Sequence, residues 1–185
     1  MTTYAVALRI KKRAPFYKAW EALEAQGIAT QSDQDIPPHY GLAHGAFDER
    51  TFSAEDFWKK FTPQIPQAAL SRVEAIYDAP LLKDNGSLLI RPYFPFEPTL
   101  IPETQTAIMR CFGWGKDQQD QWRRRGRHTT LGTGVKPEQK GLAFDAVHDA
   151  WKDYTPIVTG FDAVILYRFD EEPTKKFTEL YRQTL

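Results

Sequence analysis

The sequence predicts an α+β protein: two pseudo-symmetric lobes of mostly antiparallel sheet, helices on their outer faces, and a central cleft, all within a single domain spanning residues 1–185. Three observations predict it. Strand-like and helix-like segments are mixed along the whole chain. Each half runs strand, helix, histidine-bearing strand. The histidines of those two strands, His39 and His128, lie 128 − 39 = 89 residues apart, so each can come from its own half.

The elements follow from local pattern. Tyr4–Ile10 (YAVALRI) is rich in apolar and β-forming residues and reads as a buried strand. Phe16–Gln26 places Phe16, Trp20 and Leu23 at helical spacing, and Gly27 stops it. Pro37 and Pro38 punctuate the loop before the His39 strand. Ser53 caps a helix through Phe61, with Asp56 at the third helical position completing the cap. Arg72–Tyr77 and Ser87–Tyr93 read as a strand pair joined through the Lys83-Asp84-Asn85-Gly86 turn, Asn-Gly being a strong hairpin signal. Pro98–Phe112 is the next helix, and Gly113–Gly126 a polar, aromatic-bearing excursion. Arg127–Val135 is the second histidine strand. Leu142–Trp151 is helical, with Phe144, Val147 and Trp151 on one face. Phe161–Phe169 (FDAVILYRF) is a strand. Phe177–Leu185 reads as a strand pairing with it across the Asp170–Lys175 turn, with a terminal helix as the alternative.

Composition bounds the function. The 185 residues and a hydrophobic content of 42% are enough for a substantial core and argue against disorder. Lys plus Arg equals Asp plus Glu at 24 each, so any contact with a polyanion must come from a local patch. The single cysteine, Cys111, excludes an intramolecular disulfide and a cysteine-based zinc cluster, and fits a reducing compartment. The opening MTTYAVALRIKKR has no long apolar stretch, and no run approaches the about 18 apolar residues of a membrane span. The expectation is a cytoplasmic monomer with no membrane association.

The chemistry gathers at two short motifs. RHTTLGTG (127–134) carries His128 and Thr130, and PPHYGLAHGAF (37–47) carries His39 and Gly41. Alternate residues of a strand share a face, so His128 and Thr130 point the same way. An imidazole that moves a proton near neutral pH beside a hydroxyl donor suits phosphate handling. Tyr40 faces the opposite side. His44, five residues after His39, belongs on the other face of a regular strand, unless a bulge near Gly41 or Gly45 intervenes. His148 reads as a surface or capping residue. A metal site from His39, His44 and His128 lacks an accompanying carboxylate cluster, so no metal and no cofactor are assigned.

These motifs resemble those of the two-histidine phosphoesterase superfamily, which includes RNA 2',3'-cyclic phosphodiesterases and 2'-5' RNA ligases. HTTLG (128–132) resembles the second His-x-Thr/Ser motif. HYGLA (39–43) resembles the first in position and in its preceding Pro-Pro, with Gly41 in place of the hydroxyl residue. The resemblance covers nearly the whole chain and implies metal-independent hydrolysis of a 2',3'-cyclic phosphate, or a related cyclic or 2'-5' phosphodiester, of an RNA end or small nucleotide. It implies that His39 and His128 are the acid and base, in either order, and that Thr130 donates to phosphate. Gly41 offers only backbone groups but lets a phosphate approach closely. The departure at Gly41 keeps open a weakened relative that binds nucleotide or RNA ends without turnover. A cyclic ester of a non-nucleotide phosphate is a further substrate option.

Flanking residues extend the reading. Arg91, on a strand, is a second candidate phosphate contact, or else a strand-end ion pair. The basic stretch QWRRRGRH (121–128) offers Trp122, Arg123 and Arg127 for nucleotide or RNA contact, with Tyr93 as a further candidate; a solvated loop is the plainer alternative. The short stretch and neutral net charge favour a small substrate over long duplex RNA. Trp20, Trp151, Phe94 and Phe96 are assigned to the core.

Overall fold

Strand β1 (Thr2–Ile10) organises the larger sheet through side-chain size. Its even positions Tyr4, Val6, Leu8 and Ile10 are fully buried in the main core, while its odd positions include the small residues Thr3, Ala5 and Ala7. One face therefore packs and the other leaves room. The structure, a computed structural model, describes residues 2–32, 36–47, 49–50, 53–124, 128–169 and 177–185, with backbone alone at 47 and 121–124.

After β1 come α1 (Ala14–Glu24), β2 (His39–Phe47), α2 (Ala54–Phe61), the short α3 (Gln67–Leu70), β3 (Ala75–Tyr77), β4 (Pro80–Leu82) and β5 (Leu88–Ile90). The chain continues through α4 (Leu100–Cys111), α5 (Lys116–Arg124), β6 (Thr129–Gly132), α6 (Lys140–Trp151), β7 (Ile157–Thr159), β8 (Phe161–Phe169) and β9 (Phe177–Thr184). The fold is α+β. One sheet has the order β2-β1-β8-β9, a second β4-β5-β6, and β3 pairs with β7, with every pairing antiparallel. Each histidine strand is an edge strand of its sheet, and β2 and β6 are in contact.

Most expected elements hold, with shifts of up to three residues at some ends. Helix α1 starts two residues earlier than its apolar pattern, because Pro15 suits the first helical turn. The Ser53–Asp56 capping box forms in both directions, at 3.1 and 3.2 Å. The C-terminal segment is strand β9 on β8, which removes the helical alternative; its Tyr181 stacks on Trp58 of α2 at 5.5 Å. Trp20 and Trp151 are core residues, and Phe94 packs edge-on to Tyr40. His148 lies on the surface, its side chain 83% exposed.

Four expectations are corrected. The turn at Lys83–Gly86 closes β4 onto β5, so Arg72–Tyr77 is not the partner of the strand after it. A two-bond turn joins the strands nearest to it, here Pro80–Leu82, whose proline is tolerated at a sheet edge. Tyr77 and its neighbours pair with β7 instead, keeping only an isolated bridge from Ile76 to Tyr93. The excursion at 113–126 contains helix α5. Phe96 is 77% exposed, because the chain bends at Pro95–Phe96 and leaves the core. The two sheets are also not two sequential halves: β8 and β9, the last strands of the chain, complete the sheet that holds His39.

Candidate active site

A cleft of about 720 Å3 lies between the two histidine strands, within the size that encloses a small organic ligand. His39 and Gly41 of β2 line it from one sheet; His128 and Thr130, at the start of β6, line it from the other. The alternation of β6 is what the motif requires: Thr129 turns into the core at 1% exposure and Thr130 turns to the cleft. The buried Tyr77 hydroxyl lies 3.3 Å from the Thr129 hydroxyl and fixes the strand from behind. On the other side Ala5, Ala7, Gly41 and Ala43 keep the floor low.

His39 is half-buried. Its Nδ1 lies 3.0 Å from the Pro37 carbonyl oxygen. A carbonyl only accepts, so Nδ1 carries the proton and donates, which leaves Nε2 with the lone pair. Burial pulls the ring's pKa from 6.5 down to about 4, and the like charge of His128 adds to the fall, partly offset by the Pro37 bond. At neutral pH His39 is a neutral base.

Gly41 has an ordinary backbone conformation, and a Cβ built there meets no atom within 4 Å. It is open space, not a forced glycine. Tyr167, Phe169 and Phe177 form an aromatic wall beside His39, whose ring centroid is 6.3 Å from Tyr167 and 6.5 Å from Phe177. The Tyr167 hydroxyl is buried with no hydrogen-bond partner among the described residues, and burial together with Glu179 raises its pKa, so it stays protonated.

A bulge in β2 changes the fate of His44. Val6 pairs with Ala43 but Ala7 with Gly41, leaving Leu42 as the extra residue. The regular-strand expectation is therefore overturned: His44 lines the same cleft as His39. Among the described residues, no three His, Cys, Asp or Glu side chains are grouped to hold a metal ion.

The remaining expected contacts fall elsewhere. Arg91 is exposed, Tyr93 is 57% exposed, and neither lines the cleft. Trp122 and Arg123 lie on α5 where only the backbone is described, and Arg127 lies outside the described residues. Sequence reasoning missed Lys83 and Asn85, which reach the cleft from the β4–β5 turn, and Thr3, Gln31 and Gln105. The Asn-Gly turn was legible, but which sheet it would face was not. The large–small alternation of Tyr4–Ile10 was a readable signal for the cleft floor.

Comparison with known proteins adds one fact. A solved structure described as a phosphoesterase superposes with a TM-score of 0.57 at 14% identity, over 100% of this chain and 99% of that one. The fold is phosphoesterase-like. A conserved protein of unknown function from Agrobacterium tumefaciens strain C58 superposes with a TM-score of 0.56 at 12% identity, over 97% of this chain and 85% of that one. No family model and no curated protein matches the sequence. Among the described residues, no helix is long and apolar enough to cross a membrane.

Proposed function

We propose that this phosphoesterase-like protein hydrolyses a cyclic phosphodiester, such as the 2',3'-cyclic phosphate of an RNA end or small nucleotide, by two-histidine acid–base chemistry without a metal. The observation that carries the reading is that His39 and His128, from edge strands of two different sheets, line one cleft together with Thr130. Charge selection supports it. The chain has as many acids as bases, yet none of the described residues lining the cleft is Asp or Glu, while His39, His44, His128 and Lys83 all line it.

The neutral state of His39 suggests the roles. His39 Nε2 accepts the proton of the attacking water as the water oxygen bonds to phosphorus. The bond from phosphorus to one ribose oxygen breaks, and His128, as the acid, gives that oxygen its proton. Thr130 donates to a non-bridging oxygen as charge builds in the transition state. Gly41 contributes no hydroxyl, which is the feature that favours the second reading, a nucleotide- or RNA-end-binding protein with little turnover.

One experiment separates the two. Nucleoside 2',3'-cyclic phosphates, oligonucleotides ending in a cyclic phosphate, and 2'-5'-linked dinucleotides are incubated with and without EDTA, and products are read by phosphorus NMR. Ring opening that survives EDTA is expected. Binding without turnover establishes the second reading, and turnover that EDTA abolishes and zinc or manganese restores overturns the metal-independent mechanism.

A further inference from the structure

We propose that Gln31 and Asn85 are specificity-determining residues of the cleft: their carboxamides select a substrate whose organic part presents a hydrogen-bond donor beside an acceptor. This rests on the phosphoester reading above and names a substrate class within it: cyclic phosphodiesters of a hydrogen-bonding alcohol rather than of a bare diol.

The second motif strand is the starting point, because its continuation anchors two loops. The Thr133 N–H donates to the Ala29 carbonyl at 2.8 Å, and the Val135 N–H donates to the Gly86 carbonyl at 3.0 Å. The two anchors are two residues apart, at most about 7 Å along the chain. Glycine permits each close approach. A Cβ on Gly132 would lie 3.2 Å from Ile28 Cγ2 and 3.4 Å from the Ala29 carbonyl oxygen. Gly86 has a φ of +77°, and a Cβ there would lie 2.9 Å from the Val135 carbonyl oxygen. The chain that carries His128 and Thr130 thus draws together the segment after α1 and the β4–β5 turn, and Gln31 and Asn85 line the cleft from them.

Both carboxamides are positioned by neighbouring groups. The hydroxyls of Thr30 and Ser32 donate to the same oxygen of Glu24, at the end of α1, and the Ser32 N–H donates to the Thr30 hydroxyl at 3.2 Å. Gln31 is therefore held through the residues on either side of it. Its own Oε1 is buried with no hydrogen-bond partner among the described residues. Asn85 Oδ1 accepts the Ser87 N–H at 3.2 Å. That bond orients the Asn85 carboxamide and leaves its other arm, Nδ2, which only donates.

These arms define what they bind. Asn85 Nδ2 needs an acceptor. The Gln31 carboxamide can turn about its last bond and present either arm, but whichever way round it sits, its oxygen needs a donor. A phosphate oxygen accepts from Asn85 and gives Gln31 nothing. A group with a donor and an acceptor side by side satisfies both residues. It has two sources: the edge of a nucleobase, or the hydroxyls of a sugar.

The test compares three cyclic esters: propane-1,2-diol cyclic phosphate, which has no further polar group, ribose 2,3-cyclic phosphate, and cytidine 2',3'-cyclic phosphate. The parent is expected to favour at least one of the last two over the first by about tenfold or more in kcat/KM, since a site built to hydrogen-bond its substrate rejects an analogue that lacks the group. A gain already complete with the ribose ester identifies sugar hydroxyls, and a gain that appears only with cytidine identifies a base edge. Gln31→Met removes both arms at similar length. Asn85→Asp keeps the acceptor for the Ser87 N–H and removes the donor, and the charge it adds acts on the phosphate common to all three esters, so it cancels in the ratio. Each variant is expected to lose most of the preference. A parent that treats the three esters alike, or either variant keeping the parent's preference, overturns the pair. If none is turned over, the phosphodiesterase reading fails by itself, and NMR titration with the same esters decides the pair. Side-chain amide resonances of Gln31 and Asn85 that move more with the ribose or cytidine ester than with the diol ester support it, and equal or absent responses overturn it.

Discussion

His39 donates its Nδ1 proton to the carbonyl of Pro37, two residues earlier, at 3.0 Å. The proline pair that ends the preceding loop therefore does more than start a strand. It fixes the ring and its tautomer, so that Nε2 is the nitrogen with a lone pair.

Replacing either histidine should cost more than replacing any other cleft residue. His39→Gln and His128→Gln are each expected to lower kcat by about 10²–10⁴-fold, the usual worth of a positioned acid or base, with substrate binding retained. Thr130→Ala should cost less, because it removes one neutral donor among several. Single-turnover rates and a separate binding titration check this. A Thr130→Ala loss equal to that of His128→Gln with unchanged binding would show that the roles are misassigned.

The low pKa of His39 sets the direction of two pH effects. As a base it must be neutral, so the acid limb of kcat/KM contributed by His39 should fall only as pH drops through about 4. Stability moves in the same direction. The folded protein holds His39 at about 4 against an ordinary 6.5, so between those values the unfolded chain binds more protons. Stability from this group is full above about 6.5 and is lost as pH falls through about 4. Urea unfolding of the parent and His39→Gln at pH 7 and pH 4.5 should show a smaller loss in the variant.

Gly41→Thr should keep the fold and raise activity on a 2',3'-cyclic phosphate. The site has room for a Cβ and no unusual backbone angle. A regained hydrogen bond to a charged oxygen is worth about 1.5–3 kcal/mol when aligned. Melting temperature and kcat/KM of the pair decide it. A stable variant with lower activity would mean that the open floor serves this protein's own substrate.

Tyr77 and Thr129 form a buried pair directly behind the second motif. Tyr77→Phe should destabilise by about 1 kcal/mol and lower the melting temperature by about 2–4 °C. Adding Thr129→Val should recover most of that loss, since removing both partners leaves no unmatched hydroxyl. A double-mutant cycle with no coupling would show that the 3.3 Å contact contributes nothing.

The sequence determined the types of most elements and the two motif strands, because these depend on local period, caps and turn residues, while α5 and β4 escaped it. The size alternation along β1 decided which face packs, and HTTLG decided that His128 and Thr130 share a face. Tertiary structure decided what those strands meet. That the last strands of the chain complete the sheet of the first histidine is a matter of non-local pairing, which leaves no mark within either segment. The β4–β5 pairing shows the same limit: Asn85-Gly86 announced a turn, but the competition between Arg72–Tyr77 and Pro80–Leu82 for β5 was settled by the tightness of the connection and by β7 taking the other strand. His44 is the sharpest case. Period 2 sends it to the core, and one extra residue at Leu42, held by a glutamine 63 positions away, sends it to the cleft. A bulge is stabilised by its partners across the fold, so only the folded chain shows where the strand's alternation breaks.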